Sequence, residues 1–112
     1  MNLESSDDGD FQVVTVNEER IDAAVAIRFK DRMRDLTANG TPHVVLDLSE
    51  VEFIDSSGLG AVVAAMKQLG GTRRLDLAGL TPTVDRVFRL TRMDSVFTIH
   101  DSLADAQAVY AG

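Results

Sequence analysis

The sequence predicts an α/β fold in which helices cover a central mixed sheet of four or five strands. Segments with strand character alternate with segments of helical periodicity along nearly the whole chain, and Gly or Pro residues separate them. The chain has 112 residues, 45% of them hydrophobic, which is the size and composition of one domain with one core. We therefore predict a single domain over residues 1–112, with about four helices and right-handed crossovers.

The first elements are two strands with a polar segment before them. Residues 1–10 are acidic and are expected to form a loosely ordered start or a short edge strand, with a turn at Asp8-Gly9. The run from Phe11 to Val16 is rich in β-branched residues and predicts a strand. The run from His43 to Leu48 is apolar at nearly every position, which indicates a central strand covered on both faces.

An amphipathic helix is predicted between these two strands. Asp22 is its expected cap, Asn39-Gly40 its end, and Pro42 prevents its continuation. Its apolar positions recur at spacings of three and four, as one face of a helix requires: Val25, Phe29, Met33 and Leu36.

The second half continues the alternation after a connecting segment, Ser49 to Asp55. A buried helix is predicted from Gly58 to Leu69, because apolar residues repeat through it until Gly70-Gly71. The later elements are a strand at Arg74 to Leu77, a helix that starts at Thr81-Pro82, a strand at Val96 to Ile99, and a last helix opened by the capping pair Ser102 and Asp105.

Charge and composition exclude several classes of function. The net charge is −7, and the basic residues are scattered, so the chain lacks the basic patch of a nucleic-acid or anionic-membrane binder. The absence of cysteine excludes disulfides and thiolate metal sites. The longest apolar stretch, Leu59 to Met66, is too short to cross a bilayer, and the acidic N-terminus does not resemble a signal peptide. We expect a monomeric cytoplasmic protein.

The most informative residues lie where the buried helix begins, at Asp55-Ser56-Ser57-Gly58. Free backbone N–H groups at a helix start favour hydrogen-bond acceptors, and the helix dipole attracts negative charge. From the residues alone, Ser57 is interpreted first as the helix N-cap; the alternative is a hydroxyl that carries a phosphoryl group. Asp55 is interpreted either as a capping acid or as a residue that positions the serine hydroxyl. Gly58 and Gly60 weaken the helix by roughly 1 kcal/mol each, which predicts a close approach of another backbone or of an enzyme's active site.

The run DLSEVEFIDSSGLGAVV resembles the signature of STAS domains, which occur in anti-sigma factor antagonists and in the cytoplasmic tails of sulfate transporters. The order of elements from Phe11 onward is similar to that family as well. In the antagonists the second serine of the pair is phosphorylated by a partner kinase, so the resemblance implies phosphorylation at Ser57. It also implies that neighbouring residues contact the partner: Asp55, Ser56, Gly58, Leu59, Gly60 and Asp22.

The segment Arg20 to Ala24 resembles the element that opens the first helix in this family. The sequence differs at one position, because Glu19 stands where members usually carry Gly. We expect the loop near Asp22 to differ accordingly.

The resemblance implies a phosphorylation-controlled switch without enzyme activity or cofactor. The unphosphorylated chain would bind an anti-sigma factor that is also a serine kinase, a phosphatase would reset the switch, and Asp85, Arg86 and Arg89 would extend the docking face. The alternative is a non-switching STAS subunit that docks on a membrane transport complex for phospholipids or anions, with Ser57 only a cap. Nucleotide binding lacks support, since no phosphate-binding loop is present.

Catalytic and metal-binding interpretations fit the sequence poorly. Asp55 occupies the place of the first glycine in a nucleophile elbow, and only His43 and His100 could serve as a base. Gly58-Leu59-Gly60 with Asp76 resembles a dinucleotide fingerprint, but its third glycine is missing and the glycines do not directly follow a strand. The two histidines are too far apart in sequence to suggest a metal site.

Overall fold

A five-stranded mixed sheet forms the centre of the molecule in the computed structural model, which describes residues 1–8 and 10–110. Four helices and a second, two-stranded sheet surround it. In chain order the elements are β1 (Leu3–Asp8), β2 (Phe11–Val16), β3 (Arg20–Ile21), α1 (Ala26–Leu36), β4 (His43–Asp47), β5 (Phe53–Ile54), α2 (Ser56–Leu69), β6 (Arg74–Ala78), α3 (Pro82–Leu90), a 3-10 turn (Met93–Ser95), β7 (Ile99–His100) and α4 (Leu103–Tyr110).

The strands of the main sheet lie in the order β1-β2-β4-β6-β7. β1 pairs antiparallel with β2, and every other neighbouring pair is parallel, so the predicted mixed α/β sheet is confirmed. Of the two alternatives predicted for the N-terminal segment, the structure has the edge strand: β1 has six residues and is paired along its length. Of the predicted Asp8-Gly9 turn, Gly9 lies outside the described residues.

Two apolar clusters lie on opposite faces of this sheet. Strand residues alternate between the faces, so Val44 belongs to one cluster and Val45 to the other, and both are buried. The larger cluster contains Phe29 of α1, Val62 of α2 and Phe88 of α3, while the smaller is closed by Ala106 of α4. Cover on both faces explains why the three central residues of β4, Val44 to Leu46, are all apolar.

Three local predictions differ from the structure. α1 begins after Val25 without a side-chain cap, so Asp22 does not cap it. The segment from Ser49 to Asp55 is more than a connection, because its residues Phe53–Ile54 form β5, which pairs in parallel with β3. The last strand is Ile99–His100 rather than Val96 to Ile99, since a 3-10 turn occupies Met93–Ser95 and its cap, Val96, ends it.

A buried carboxylate ties α4 to the sheet. Asp76 on β6 is 1% exposed; its Oδ1 accepts from Arg74 Nε at 2.9 Å and its Oδ2 lies 2.8 Å from His100 Nε2. The Tyr110 hydroxyl at the end of α4 donates to the same carboxylate. Burial by itself raises the pKa of Asp76, but the hydrogen bonds from Tyr110, His100 and Arg74 outweigh it and hold the pKa below its usual value.

We expect the Tyr110 hydroxyl to lose its proton at a higher pH than an ordinary tyrosine and to stabilise the fold. Burial and the hydrogen bond to Asp76 raise the pKa of Tyr110 to about 12. Because this folded pKa lies above the ordinary value of 10.0, the stabilisation is complete below pH 10 and is lost as the pH rises towards 12. Tyr110 is the only tyrosine, so near-ultraviolet absorbance of its phenolate reports this one group, with a midpoint near 12 in the folded chain and near 10 in urea.

Tyr110→Phe tests the same contact in acid. The loss of one hydrogen bond to a charged group is expected to lower the free energy of unfolding by about 2 kcal/mol at neutral pH. The pKa of Asp76 is lowered from 3.8, so the stabilisation by its ionised form is present above that value and is lost as the pH falls through the folded pKa. The difference between wild type and Tyr110→Phe should therefore narrow in acid. Val109→Ala, on the same helix and exposed, is the control. A folded-state phenolate midpoint near 10 would contradict the assignment.

Candidate functional site

The carboxylate of Asp55 organises the start of α2. Asp55 is the N-cap in extended backbone conformation, and its Oδ1 accepts from the backbone N–H of Gly58 at 2.8 Å. Its Oδ2 accepts from the backbone N–H of Ala23 at 3.2 Å, in the turn before α1. The Gly58 hydrogen bond is the main cause of the lowered pKa of Asp55, so this side chain is ionised at neutral pH. One carboxylate thus joins the start of α2 to the turn that precedes α1.

Gly58 allows the backbone of β3 to contact α2. A Cβ atom built at Gly58 would lie 1.9 Å from the carbonyl oxygen of Ile21, and the residue is buried. At Gly60 a built Cβ meets nothing within 4 Å, and this residue is exposed. The two glycines therefore differ: the close approach predicted for Gly58 is made by the chain's own backbone, while Gly60 leaves open space on the surface of α2.

Ser56 and Ser57 are both exposed at the first two positions of α2. Ser57 is not the N-cap, because Asp55 takes that role. Within the described part of the chain, the hydrogen bonds of this helix start are made by Asp55 and include none from the Ser57 hydroxyl. The hydroxyl of Ser57 is therefore open to solvent and available for a chemical modification.

Asp22 lies beside this site and makes hydrogen bonds within the turn before α1 instead of capping that helix. Its Oδ1 accepts from the N–H of Ala24 at 3.1 Å, and its Oδ2 accepts from Arg20 Nε at 3.3 Å. The Arg20 guanidinium also stacks 4.1 Å above the ring of Phe53, with which Arg20 is in register across the β3–β5 pair. The sequence pattern missed this pair, because two-residue strands are shorter than the alternation that identifies a strand.

Two of the residues considered above for catalysis or dinucleotide binding, Asp76 and His100, take part in a structural hydrogen-bond network. Asp76 on β6 and His100 on β7 are hydrogen-bonded to each other inside the network that holds α4, whereas Asp55 and Ser57 lie at the start of α2. Among residues 1–8 and 10–110, no group of three or more His, Cys, Asp or Glu side chains could hold a metal ion. The same residues include no helix long and apolar enough to cross a membrane.

Comparison with known proteins gives one family over nearly the whole chain. The family model described as the STAS domain matches residues 2–106. An anti-sigma-B factor antagonist of Staphylococcus aureus is 24% identical over 102 residues, which cover 90% of this chain and 94% of the relative.

Solved structures of similar proteins share the fold. The crystal structure of an anti-sigma factor antagonist from Mycobacterium paratuberculosis has a TM-score of 0.87 and 28% identity, covering 99% of this chain and 94% of that one. The Bacillus cell fate determinant SpoIIAA, in its phosphorylated form, has a TM-score of 0.67 at 18% identity, over 94% of this chain and 96% of that one. The last similarity concerns the fold alone.

Proposed function

This chain belongs to the STAS domain family, and on that premise we propose that it is an anti-sigma factor antagonist whose partner binding is controlled by phosphorylation of Ser57. The antagonists from Staphylococcus aureus and Mycobacterium paratuberculosis match it over 90% and 99% of its length. The proposed partner is an anti-sigma factor with serine kinase activity, and a phosphatase reverses the modification. The chain itself acts in the cytoplasm as a binding protein and performs no catalysis.

One observation carries the choice of site: Ser57 is exposed at the second position of α2, and a different residue, Asp55, caps that helix. Ser56 is exposed as well, and the STAS signature, in which the second serine of the pair is the phosphorylated one, supports the choice of Ser57. A serine that serves as the cap would lose a structural hydrogen bond on modification. Ser57 does not cap α2, so its hydroxyl can be modified while the hydrogen bonds at the helix start stay intact. The helix dipole also favours negative charge at this end.

The proposed chemistry is transfer of a phosphoryl group from ATP. The oxygen of the Ser57 hydroxyl forms a bond to the γ-phosphorus, the bond from that phosphorus to ADP breaks, and a base of the kinase takes the hydroxyl proton. The product adds about −1.5 to −2 charge beside the ionised Asp55. A partner surface that fits a neutral hydroxyl then meets two neighbouring negative groups, and the complex dissociates.

The partner-binding residues divide by exposure. Ser56, Ser57 and Gly60 are exposed, and Leu59 is half-buried, so these form the direct contact face in the proposal. Asp55 and Gly58 act indirectly, because they hold the start of α2 in place. Asp22 also acts indirectly, through its hydrogen bonds to Ala24 and Arg20.

The test is phosphorylation by the partner. Immobilised Ser57→Ala protein, which cannot be phosphorylated there, is used to capture the anti-sigma factor from the native cell, and the captured protein is then purified. We expect it to phosphorylate wild type and Ser56→Ala with ATP, but not Ser57→Ala, as measured by intact mass. Phosphate on Ser56 instead, or equal phosphorylation of all three, would refute the assignment. Capture of a transport ATPase with no kinase would favour the alternative of a docking subunit.

A further inference from the structure

We infer that the groove between α1 and α2 is the main docking site for the partner, and that it receives an acidic amphipathic helix of the anti-sigma factor. This inference rests on the proposed function and specifies its partner surface. The groove has a volume of about 270 Å³. Its lining comes from both helices: Ile27, Lys30, Asp31 and Arg34 of α1, and Ala64, Ala65 and Gln68 of α2.

The groove has an apolar strip that other elements leave uncovered. The side chain of Ile27 is 69% exposed, although isoleucine is among the residues most often buried. On the α2 side the groove is lined by Ala64, which is half-buried, and Ala65, which is buried; both side chains are small and leave room for an incoming side chain. Packing between helices favours such a ridge-and-groove arrangement, so a third helix fits here better than an extended strand.

The charge of α1 indicates that the helix bound in the groove is acidic. α1 carries four basic and two acidic residues, whereas the whole chain has a net charge of −7. Lys30 and Arg34 lie on the groove side, and Arg34 is partly neutralised by Asp31 at 3.2 Å. A partner helix with carboxylates beside its apolar residues is complementary in charge to Lys30 and Arg34, and a basic helix is not.

One face of α2 connects the groove to the serine. Ser57, Gly60, Ala64 and Gln68 follow one another at spacings of three or four, so they lie on one face of the helix. The distance from Ser57 to Gln68 along the axis is about 16 Å, which matches roughly three turns of a bound helix. Gly60 leaves open space between the serine and the lined part of the groove. A phosphoryl group on Ser57 would lie at the end of this face of α2 and would repel an acidic helix bound along it.

The test compares variants of the groove for binding to the purified anti-sigma factor, by calorimetry at low and moderate salt. We expect Ile27→Glu and the double variant Lys30→Glu with Arg34→Glu each to weaken binding by tenfold or more, and the double variant to lose most of the salt dependence. Arg28→Glu, on the same helix but outside the groove, and Val109→Glu, equally exposed on α4, are the controls and should bind within about twofold of wild type. Thermal unfolding should be nearly unchanged in all four, since the altered side chains are exposed.

The outcomes separate this inference from the proposed function. If wild type binds and is phosphorylated while the groove variants bind equally well, the groove inference is wrong and the switch stands. If wild type and Ser57→Ala both fail to bind any anti-sigma factor, the proposed function fails and the inference fails with it. Dimerisation of the chain alone that Ile27→Glu abolishes would show a second copy in the groove and would overturn the inference.

Discussion

Replacing Gly58 with alanine is expected to lower the free energy of unfolding by about 3 kcal/mol, at the upper end of what overpacking costs. The new Cβ would lie 1.9 Å from the carbonyl oxygen of Ile21 and 2.9 Å from Cγ1 of Ile54. Neither neighbour can move easily, because Ile21 and Ile54 are paired in the β3–β5 sheet and both are buried. The measurement is urea unfolding followed by circular dichroism, with the midpoint expected to fall and the slope to stay constant.

Gly60→Ala is the matched control for Gly58→Ala. It makes the same chemical change two residues along the same helix, where a Cβ meets nothing within 4 Å. Alanine is the better helix former, so Gly60→Ala should raise stability by about 0.5–1 kcal/mol. The two substitutions are therefore expected to have opposite signs. A Gly58→Ala variant as stable as Gly60→Ala would show that β3 does not press against α2.

The fold was largely predictable because its main elements are encoded locally. The alternation of Val44 and Val45 between the two faces of β4, and the spacing of Phe29 and Met33 on α1, are properties of short sequence windows. Thr81 before Pro82 gave the start of α3 correctly, since proline at the first helical position fixes the backbone there.

The elements that were missed depend on partners far along the chain. β3 and β5 have two residues each and are defined by hydrogen bonds to each other, which no local window contains. The observed start of α1 differs from the predicted start for a related reason. The Asp22 carboxylate bonds to Ala24 and Arg20 within the preceding turn, and the neighbouring N–H of Ala23 is taken by Asp55 from a distant segment.

The candidate site shows the same division. The sequence located the helix start at Asp55 to Ser57, because its residue types and the STAS resemblance coincide there. It could not distinguish the two glycines, since the Ile21 carbonyl that fills the space beside Gly58 comes from another part of the chain. It also assigned the cap to Ser57, whereas the extended backbone of Asp55 gives that role to the carboxylate. Individual roles within a motif thus require the tertiary contacts.

Ser57→Asp is expected to weaken binding to the anti-sigma factor by tenfold or more while leaving the melting temperature within a few degrees of wild type. The fold tolerates the new charge, because position two of a helix favours an acidic residue by about 0.3–1 kcal/mol. The partner does not tolerate it in the proposal, since the charge lies on the contact face beside the ionised Asp55. Calorimetric titration with the purified anti-sigma factor gives the affinity, and thermal unfolding gives the stability of the same sample.

Ser57→Asn separates charge from shape. Asparagine has nearly the size of aspartate without its charge, so this variant should bind within a few-fold of wild type if repulsion controls the switch. Equal weakening by both substitutions would mean that the partner excludes any larger side chain at Ser57, and the electrostatic mechanism would then be wrong even though the position is correct. Wild-type affinity for Ser57→Asp would refute the switch itself. Because the two side chains have nearly the same size and shape, the ratio of their affinities measures chiefly the electrostatic part of the switch.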